Sequence, residues 1–292
     1  MINIAYYPGC SLHAMAHEYD ISTRLVCERL GLQLQELSDW NCCGATAAHS
    51  LDHQLSIGLS SLNLALVDAM QLHRVTTPCA GCFSRLKTAA AELKKDNQAA
   101  KIEKMTGMAL TGARLVEVAH LLQVMVEDIG IDVIKEQVVK PLTGLKLAAY
   151  YGCLITRPRT IVQFDDPEQP SSMDWLLQSL GAETVNWSHK AECCGGGFAA
   201  SQTDIVVDLG GQVLEAARQA GANAIVVACP MCQANLDTRQ KAIEVDRGTA
   251  YNLPIIYFTQ LLGLALGFSA QQLGLNRLLT KPFALLSALN LA

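Results

Sequence analysis

Several things this chain lacks narrow its function before any motif is read. It has little charge, 17% Asp, Glu, Lys and Arg with a net of −5, and no basic run. It therefore offers no electrostatic footprint for nucleic acid, and none is expected as a partner. Aromatic residues are scarce at 5%. No G-x-G-x-x-G or Walker pattern occurs, so no nucleotide site is expected. The opening Met-Ile-Asn-Ile-Ala-Tyr-Tyr-Pro carries neither a charged n-region nor a cleavage-site pattern, so no secretory signal is expected. The most apolar run, Leu253 to Phe268, is interrupted by Pro254, Thr259 and Gln260, too short and polar to span a bilayer. These absences together lead to an expected cytoplasmic location with no membrane span.

Cysteine is what the chain has in quantity. Ten of its 11 cysteines fall into two matching sets, and Cys27 is left over. The first set is Cys10, then 31 residues, Cys42-Cys43, then 35 residues opening with Gly44, and Cys79-Ala-Gly-Cys82. The second is Cys153, then 39 residues, Cys193-Cys194, then 34 residues opening with Gly195, and Cys229-Pro-Met-Cys232. At 292 residues, half of them hydrophobic, the chain builds ordinary cores without disulfide staples. The cysteines read as reduced ligands rather than cross-links. Cys27 reads as a small buried hydrophobe.

The rest of the chain is one unit used twice. Residues 3–9 read as a buried strand ending at Cys10, and Ile21–Leu30 as an amphipathic helix stopped by Gly31. Leu32–Leu37 reads as a second strand and 51–72 as a helix. Arg74–Thr77 reads as a strand delivering Cys79, with Cys82 opening the next helix. Lys94–Lys104 is a polar stretch, and Leu115–Val118 a further strand. Helical segments then end near Lys140-Pro141. The second half repeats this: Leu145–Cys153 answers Ile2–Cys10, Leu180–Trp187 answers Leu30–Leu37, and Ile255–Leu262 answers Leu115–Leu122. The expected fold class is α/β: two pseudo-twofold-related domains, 1–143 and 144–292, with mostly parallel sheets flanked by helices. Ligands of such sheets sit beyond the carboxyl ends of the strands, where Cys10, Cys79, Cys153 and Cys229 are expected.

Tetrahedral zinc takes four ligands, and so does an ordinary iron–sulfur cluster. Five cysteines per half leave open a larger or more open cluster, or a cubane with one free thiol. Gly195-Gly196-Gly197 suits close approach of backbone to a bulky group. A Cys-x-x-Cys at a helix start favours thiolate.

These residues carry a family resemblance. The two Cys-x(31–39)-Cys-Cys-Gly-x(33–34)-Cys-x-x-Cys motifs resemble the CCG, or cysteine-rich, domains of the HdrB family of heterodisulfide reductase components. The likeness extends to the Tyr-Tyr openings ahead of Gly9-Cys10 and Gly152-Cys153, to Cys194-Gly-Gly-Gly, and to Leu261–Gly267. The resemblance implies two noncubane [4Fe-4S] clusters. Cys10, Cys42, Cys43, Cys79 and Cys82 would hold one, and Cys153, Cys193, Cys194, Cys229 and Cys232 the other. It further implies an oxidoreductase of the disulfide reductase type, reductively cleaving or forming a disulfide between two thiol substrates. Its expected partners are a ferredoxin-like iron–sulfur subunit (HdrC-like) and a flavin-containing subunit (HdrA-like) of a larger complex. The sequence departs from methanogen members at Leu154, where they carry His, and at Gly44, where proline is common. The methanogen coenzyme pair is therefore not carried over. The alternatives are a non-catalytic iron–sulfur electron-transfer subunit of a quinone- or dehydrogenase-linked complex, and a structural zinc protein.

Beyond the cysteines, His189 is a candidate for hydrogen bonding to a cluster sulfide or for proton donation. Arg157, with Arg159, is a candidate for holding an anionic substrate tail. His13 and His17 read as a partly exposed helix face, and Trp40 and Trp187 as shields against water. The apolar tail from Leu278 to Ala292 is expected to pack on its own domain.

Overall fold

A computed structural model describes residues 2–45 and 47–291, and the side chains of all of these but Ala47 and Asp96. The first half begins with β1 (Ile2–Tyr6), α1 (Gly9–His13), α2 (His17–Arg29) and β2 (Leu32–Glu36). It continues through α3 (Ala47–Leu51), α4 (His53–Ala69), β3 (Arg74–Thr77), α5 (Ala80–Leu93), α6 (Asp96–Thr106) and β4 (Glu117–His120). Helical segments follow as α7 (Leu121–Gln123), a π-helical Val124–Gly130 and α8 (Ile131–Glu136). The second half contains β5 (Lys146–Tyr150), α9 (Arg159–Val162), α10 (Ser172–Ser179), β6 (Glu183–Thr184) and α11 (Thr203–Gln219). It closes with β7 (Ala224–Val227), α12 (Pro230–Thr238), α13 (Gln240–Arg247), β8 (Ile255–Tyr257), α14 (Phe258–Ala265) and α15 (Phe283–Ala288).

Each half builds one sheet of four parallel strands, ordered β2-β1-β3-β4 and β6-β5-β7-β8. The central strands are covered by helices on both faces, which is why they read as unbroken apolar runs. All four residues of β7 are buried, as are Ile4, Ala5 and Tyr6 of β1. The α/β class, the parallel sheets and the two similar halves are as the repeat implies.

Local chemistry moves several boundaries from their expected places. Strand β1 stops at Tyr6 because Pro8 has no amide hydrogen for the ladder, and Cys10 falls in the short α1. The helix expected over 51–72 divides at Asp52, whose carboxylate accepts from Leu55 N at 3.0 Å and caps α4. The polar stretch after Lys94 is itself helical, α6, pinned by buried Ile102. Strand β6 shrinks to two residues. The register also corrects one internal match. Thr77 pairs His120 and Val227 pairs Tyr257, so Tyr257 is the counterpart of His120, three residues before Gln260.

The halves meet along α2 and α14. Tyr19 stacks on Tyr257 with ring centroids 3.9 Å apart, and Ser22 Oγ and Thr259 Oγ1 share a 2.7 Å hydrogen bond. The amides of Val139 and Lys140 both donate to Ala265 O, at 2.9 and 3.0 Å. The apolar tail packs down as expected: Leu278, Leu286 and Leu291 are buried, and Asp237 accepts from Leu279 N and Thr280 N. Ala292 lies outside the described residues.

Candidate functional site

Strands β3 and β7 end two residues before Cys79 and Cys229, and these cysteines are the N-caps of α5 and α12. Cys82 and Cys232 sit in the first turn of those helices, where the partial positive charge of the N-terminus favours thiolate. Pro230 occupies the first position of α12, where its missing N–H costs no hydrogen bond. Cys43 lies against Cys82, with the sulfurs 3.3 Å apart, and Cys194 against Cys232 at 3.6 Å. Both separations far exceed a disulfide bond of ~2.05 Å, and all 11 cysteines are free thiols.

These contacts join into a chain of sulfurs. Cys43 bonds Cys82, with Cys42 beside the first and Cys79 beside the second. Cys79 then approaches Cys229 across the seam between halves, and Cys229 leads through Cys232 to Cys194. Cys153 lies beside Cys193. Cys10 lies within electrostatic reach of Cys42. Protons distribute accordingly. The bond from Cys82 lowers the Cys43 thiol to about 7, and the neighbouring Cys153 thiol lowers Cys193 to about 6. The neighbouring Cys229 sulfur raises Cys79 well above its usual range, and the bond to Cys43 raises Cys82. Cys27 stands apart: it is buried in α2, and burial pushes its thiol up, as for a small hydrophobe.

The backbone around the sulfurs follows one plan in both halves. Gly44 N points at Cys42 Sγ at 3.4 Å, and Gly195 N at Cys193 Sγ at 3.3 Å. The Tyr7 hydroxyl donates to Asn41 O and the Tyr150 hydroxyl to Glu192 O, each at 2.7 Å, fixing the residue before each Cys-Cys pair. A Cβ on Gly9 would lie 2.8 Å from Cys82 Sγ, and one on Gly152 would lie 3.0 Å from Cys232 Sγ. Gly44 has φ +77°, which proline's ring forbids, so the family's common proline has no place in this loop. Of the glycine run, Gly195 packs on the α11 backbone, Gly196 touches Cys194 Sγ, and Gly197 has open space.

One buried histidine ties the two sites together. His120 Nε2–H donates to Pro78 O at 3.1 Å and to Ala228 O at 3.0 Å, the carbonyls just before Cys79 and Cys229. Its Nδ1 accepts from Leu122 N at 3.1 Å. Carbonyls only accept, so the network fixes the neutral Nε2–H tautomer. Burial agrees, lowering the imidazole to about 4.

The other candidates fall elsewhere. His189 bonds Ser188 Oγ, stacks on Trp187, and lines a groove of about 460 Å³ that includes no cysteine. Arg157 spends its donors on Pro167 O, Ala191 O and Glu168, so it braces the loop after Cys153. Arg159 opens α9 on the surface. His13 pairs Glu36 at 3.2 Å and meets Trp40 edge-on, while His17 is exposed. Trp40 is packed edge-on against Tyr7, and buried Trp187 donates to Ala149 O.

The donor set fits an iron–sulfur group. Soft sulfurs in contact, several of them buried, hold their protons against mutual repulsion unless cationic centres lie among them. The glycines leave room where a side chain would strike sulfur. The buried Tyr19 hydroxyl, within electrostatic reach of Cys229 and Cys79, has no acceptor among the described residues.

The cysteine-rich CCG domain pattern matches residues 4–87 and again 147–237. The chain belongs to the CCG cysteine-rich domain family. Within the CCG family it is similar to the HdrB components of heterodisulfide reductases. It is 32% identical over 284 residues to the HdrB component of ferredoxin:CoB-CoM heterodisulfide reductase from Methanosarcina mazei, covering 95% of this chain and 93% of that one. It is also 32% identical over 274 residues to "8-methylmenaquinol:fumarate reductase membrane anchor subunit" of Wolinella succinogenes, covering 93% and 95% respectively. Among solved structures, that of a hypothetical protein from Helicobacter pylori shares the fold, with a TM-score of 0.69 at 13% identity. The match covers 96% of this chain, which spans about half, 52%, of that one. Among the described residues, no helix is long and apolar enough to cross a membrane.

Proposed function

We propose that this CCG protein is the redox subunit of a heterodisulfide reductase-like complex. In this reading two domains, 1–143 and 144–292, each hold a noncubane [4Fe-4S] cluster. Cys10, Cys42, Cys43, Cys79 and Cys82 hold the first, and Cys153, Cys193, Cys194, Cys229 and Cys232 the second. The observation that carries the reading is the run of sulfurs crossing from one half to the other at Cys79 and Cys229.

When bound, such groups supply electrons one at a time. Cleaving a disulfide takes two electrons and two protons and yields two thiols, so a pair of one-electron groups at one seam matches the demand. The chain's own part is to hold and orient. The α5 and α12 N-termini and the Gly44 and Gly195 amides stabilise thiolate. His120 keeps the two Cys-x-x-Cys turns in register. Exposed Cys10, Cys42 and Cys193 mark the side from which a substrate reaches the sulfurs. With no nucleotide motif in the sequence, electrons enter from a ferredoxin-like iron–sulfur subunit, itself fed by a flavin-containing one. The substrate is a disulfide, persulfide or thiol carrier, and the expected location is the cytoplasm.

A second reading follows from the Wolinella relative's name: an electron-transfer subunit of a quinone-linked complex, with no disulfide chemistry of its own. One experiment separates the two. Cys43→Ala and Cys194→Ala are each expected to alter one cluster's spectrum and to abolish disulfide turnover by the complex. Altered spectra with turnover retained favour the electron-transfer reading, and unaltered spectra in both variants sink the ligand assignment.

A further inference from the structure

The two cysteine sites share a plan but differ in charge. Asn235 stands one turn past Cys232, and its Nδ2 donates to Cys194 O at 2.9 Å while lying 3.8 Å from Cys194 Sγ. The position one turn past Cys82, on the same face of α5, is Arg85. In the first half the carbonyl of Cys43 is instead held by Ser60 Oγ of α4 at 2.9 Å. Ser60's counterpart on α11 is Gly210, backed so closely by Ile243 that a Cβ would lie 3.0 Å from its Cδ1. Ser60 with Arg85 thus replaces Gly210 with Asn235. A hydroxyl takes over the neutral hydrogen bond and leaves the helix position free for a cation.

The neighbouring charges reinforce the difference. Arg85 is half-buried and meets the imidazole of His49 at 2.8 Å, which the guanidinium itself keeps neutral by lowering its pKa. Two cations flanking the second Cys-Cys loop carry carboxylates: Lys190 pairs Asp174 at 2.9 Å, and Arg157 pairs Glu168 at 2.8 Å. Before the Cys-Cys pair, neutral Asn41 in the first half answers anionic Glu192 in the second.

We infer that Arg85 makes the first-half site the higher-potential member of the pair, where a single electron comes to rest. The inference builds on the two-cluster reading. A reduced iron–sulfur donor loses one electron and the first-half group gains it. The added negative charge is stabilised by a guanidinium at the helix position where the second site carries neutral Asn235.

The test is a redox titration, followed by electron paramagnetic resonance, on the full chain purified without oxygen. Two midpoint potentials are expected. Arg85→Gln should lower the higher one by about tenfold in the one-electron equilibrium constant, ~59 mV, and leave the lower one in place. Arg85→Lys, which keeps the charge, should move neither. Stationary signals in Arg85→Gln, or movement of the lower one, would overturn the inference while leaving the clusters standing. Wild-type protein with no iron–sulfur signal would overturn the cluster reading and this inference with it. If Arg85→Gln fails to fold, wild-type protein at rising ionic strength decides. Screening of the half-exposed guanidinium should narrow the gap between midpoints, and a constant gap counts against the role of Arg85.

Discussion

Gly9 and Gly152 show how far single residues set the site. Each comes so close to the sulfur of the second Cys in a Cys-x-x-Cys that a methyl group would collide with it. Both have positive φ, +73° and +67°, which adds backbone strain to the collision. Gly9→Ala is therefore expected to cost the protein about half of its iron, leaving the second-half cluster intact. Iron per chain, measured beside Gly152→Ala, checks this, and full occupancy in both variants would contradict the close approach. His120 gives a residue-scale prediction in pH. Its folded pKa, about 4, lies below the ordinary histidine value of ~6.5, so the unfolded chain binds the proton first. The stability it contributes is complete above the unfolded pKa and is lost as pH falls towards the folded one. Between pH 7.5 and 5.5 wild type should lose roughly 1 kcal/mol that His120→Gln does not. Parallel denaturant midpoints in the two proteins would show it, and equal losses would mean His120 is not held neutral.

At the scale of elements, the two Cys-Cys loops are secured by different helices. Asn63 of α4 accepts from Asn41 N and donates to Asn41 O, both at 3.0 Å, and Ser60 holds Cys43 O. The corresponding face of α11 carries Val213 and Gly210, so the second loop relies on Asn235 of α12. Asn63→Ala should thus cost about 1–3 kcal/mol and disturb one cluster's spectrum, while Asn235→Ala disturbs the other. Denaturant unfolding with spectra of both variants tests this, and a change in the same cluster from both would refute the division. Much of this level was legible in the sequence. Arg74–Thr77 and Ala224–Val227 stand out as β-branched runs, and the Cys-x-x-Cys after each opens a helix as expected. Cys10 was misplaced because a left-handed Gly9 turns the chain into α1 before the strand reaches it. The polar α6 escaped because its charges hid one buried anchor, Ile102. His120 also went unread as part of the site: its contact with Ala228 lies across the seam, 108 residues away. The histidine inside the Leu115–Leu122 run was the available signal.

Across the whole molecule, doubling one α/β unit brings Cys79 and Cys229 within electrostatic reach of each other, and the central claim depends on that meeting. The ten cysteines were visible from spacing alone, but their connection through the seam needed the fold. Spacing also could not show that the halves differ in charge, since Arg85 and Asn235 acquire meaning only once the helices are superimposed on the same plan. The most direct test is iron and acid-labile sulfide per chain, on protein purified without oxygen. Two four-iron clusters require about eight of each, and that is the expected result. Little iron, with one or two zinc ions per chain, would make the ten cysteines a structural metal site, and the disulfide chemistry would fall with it.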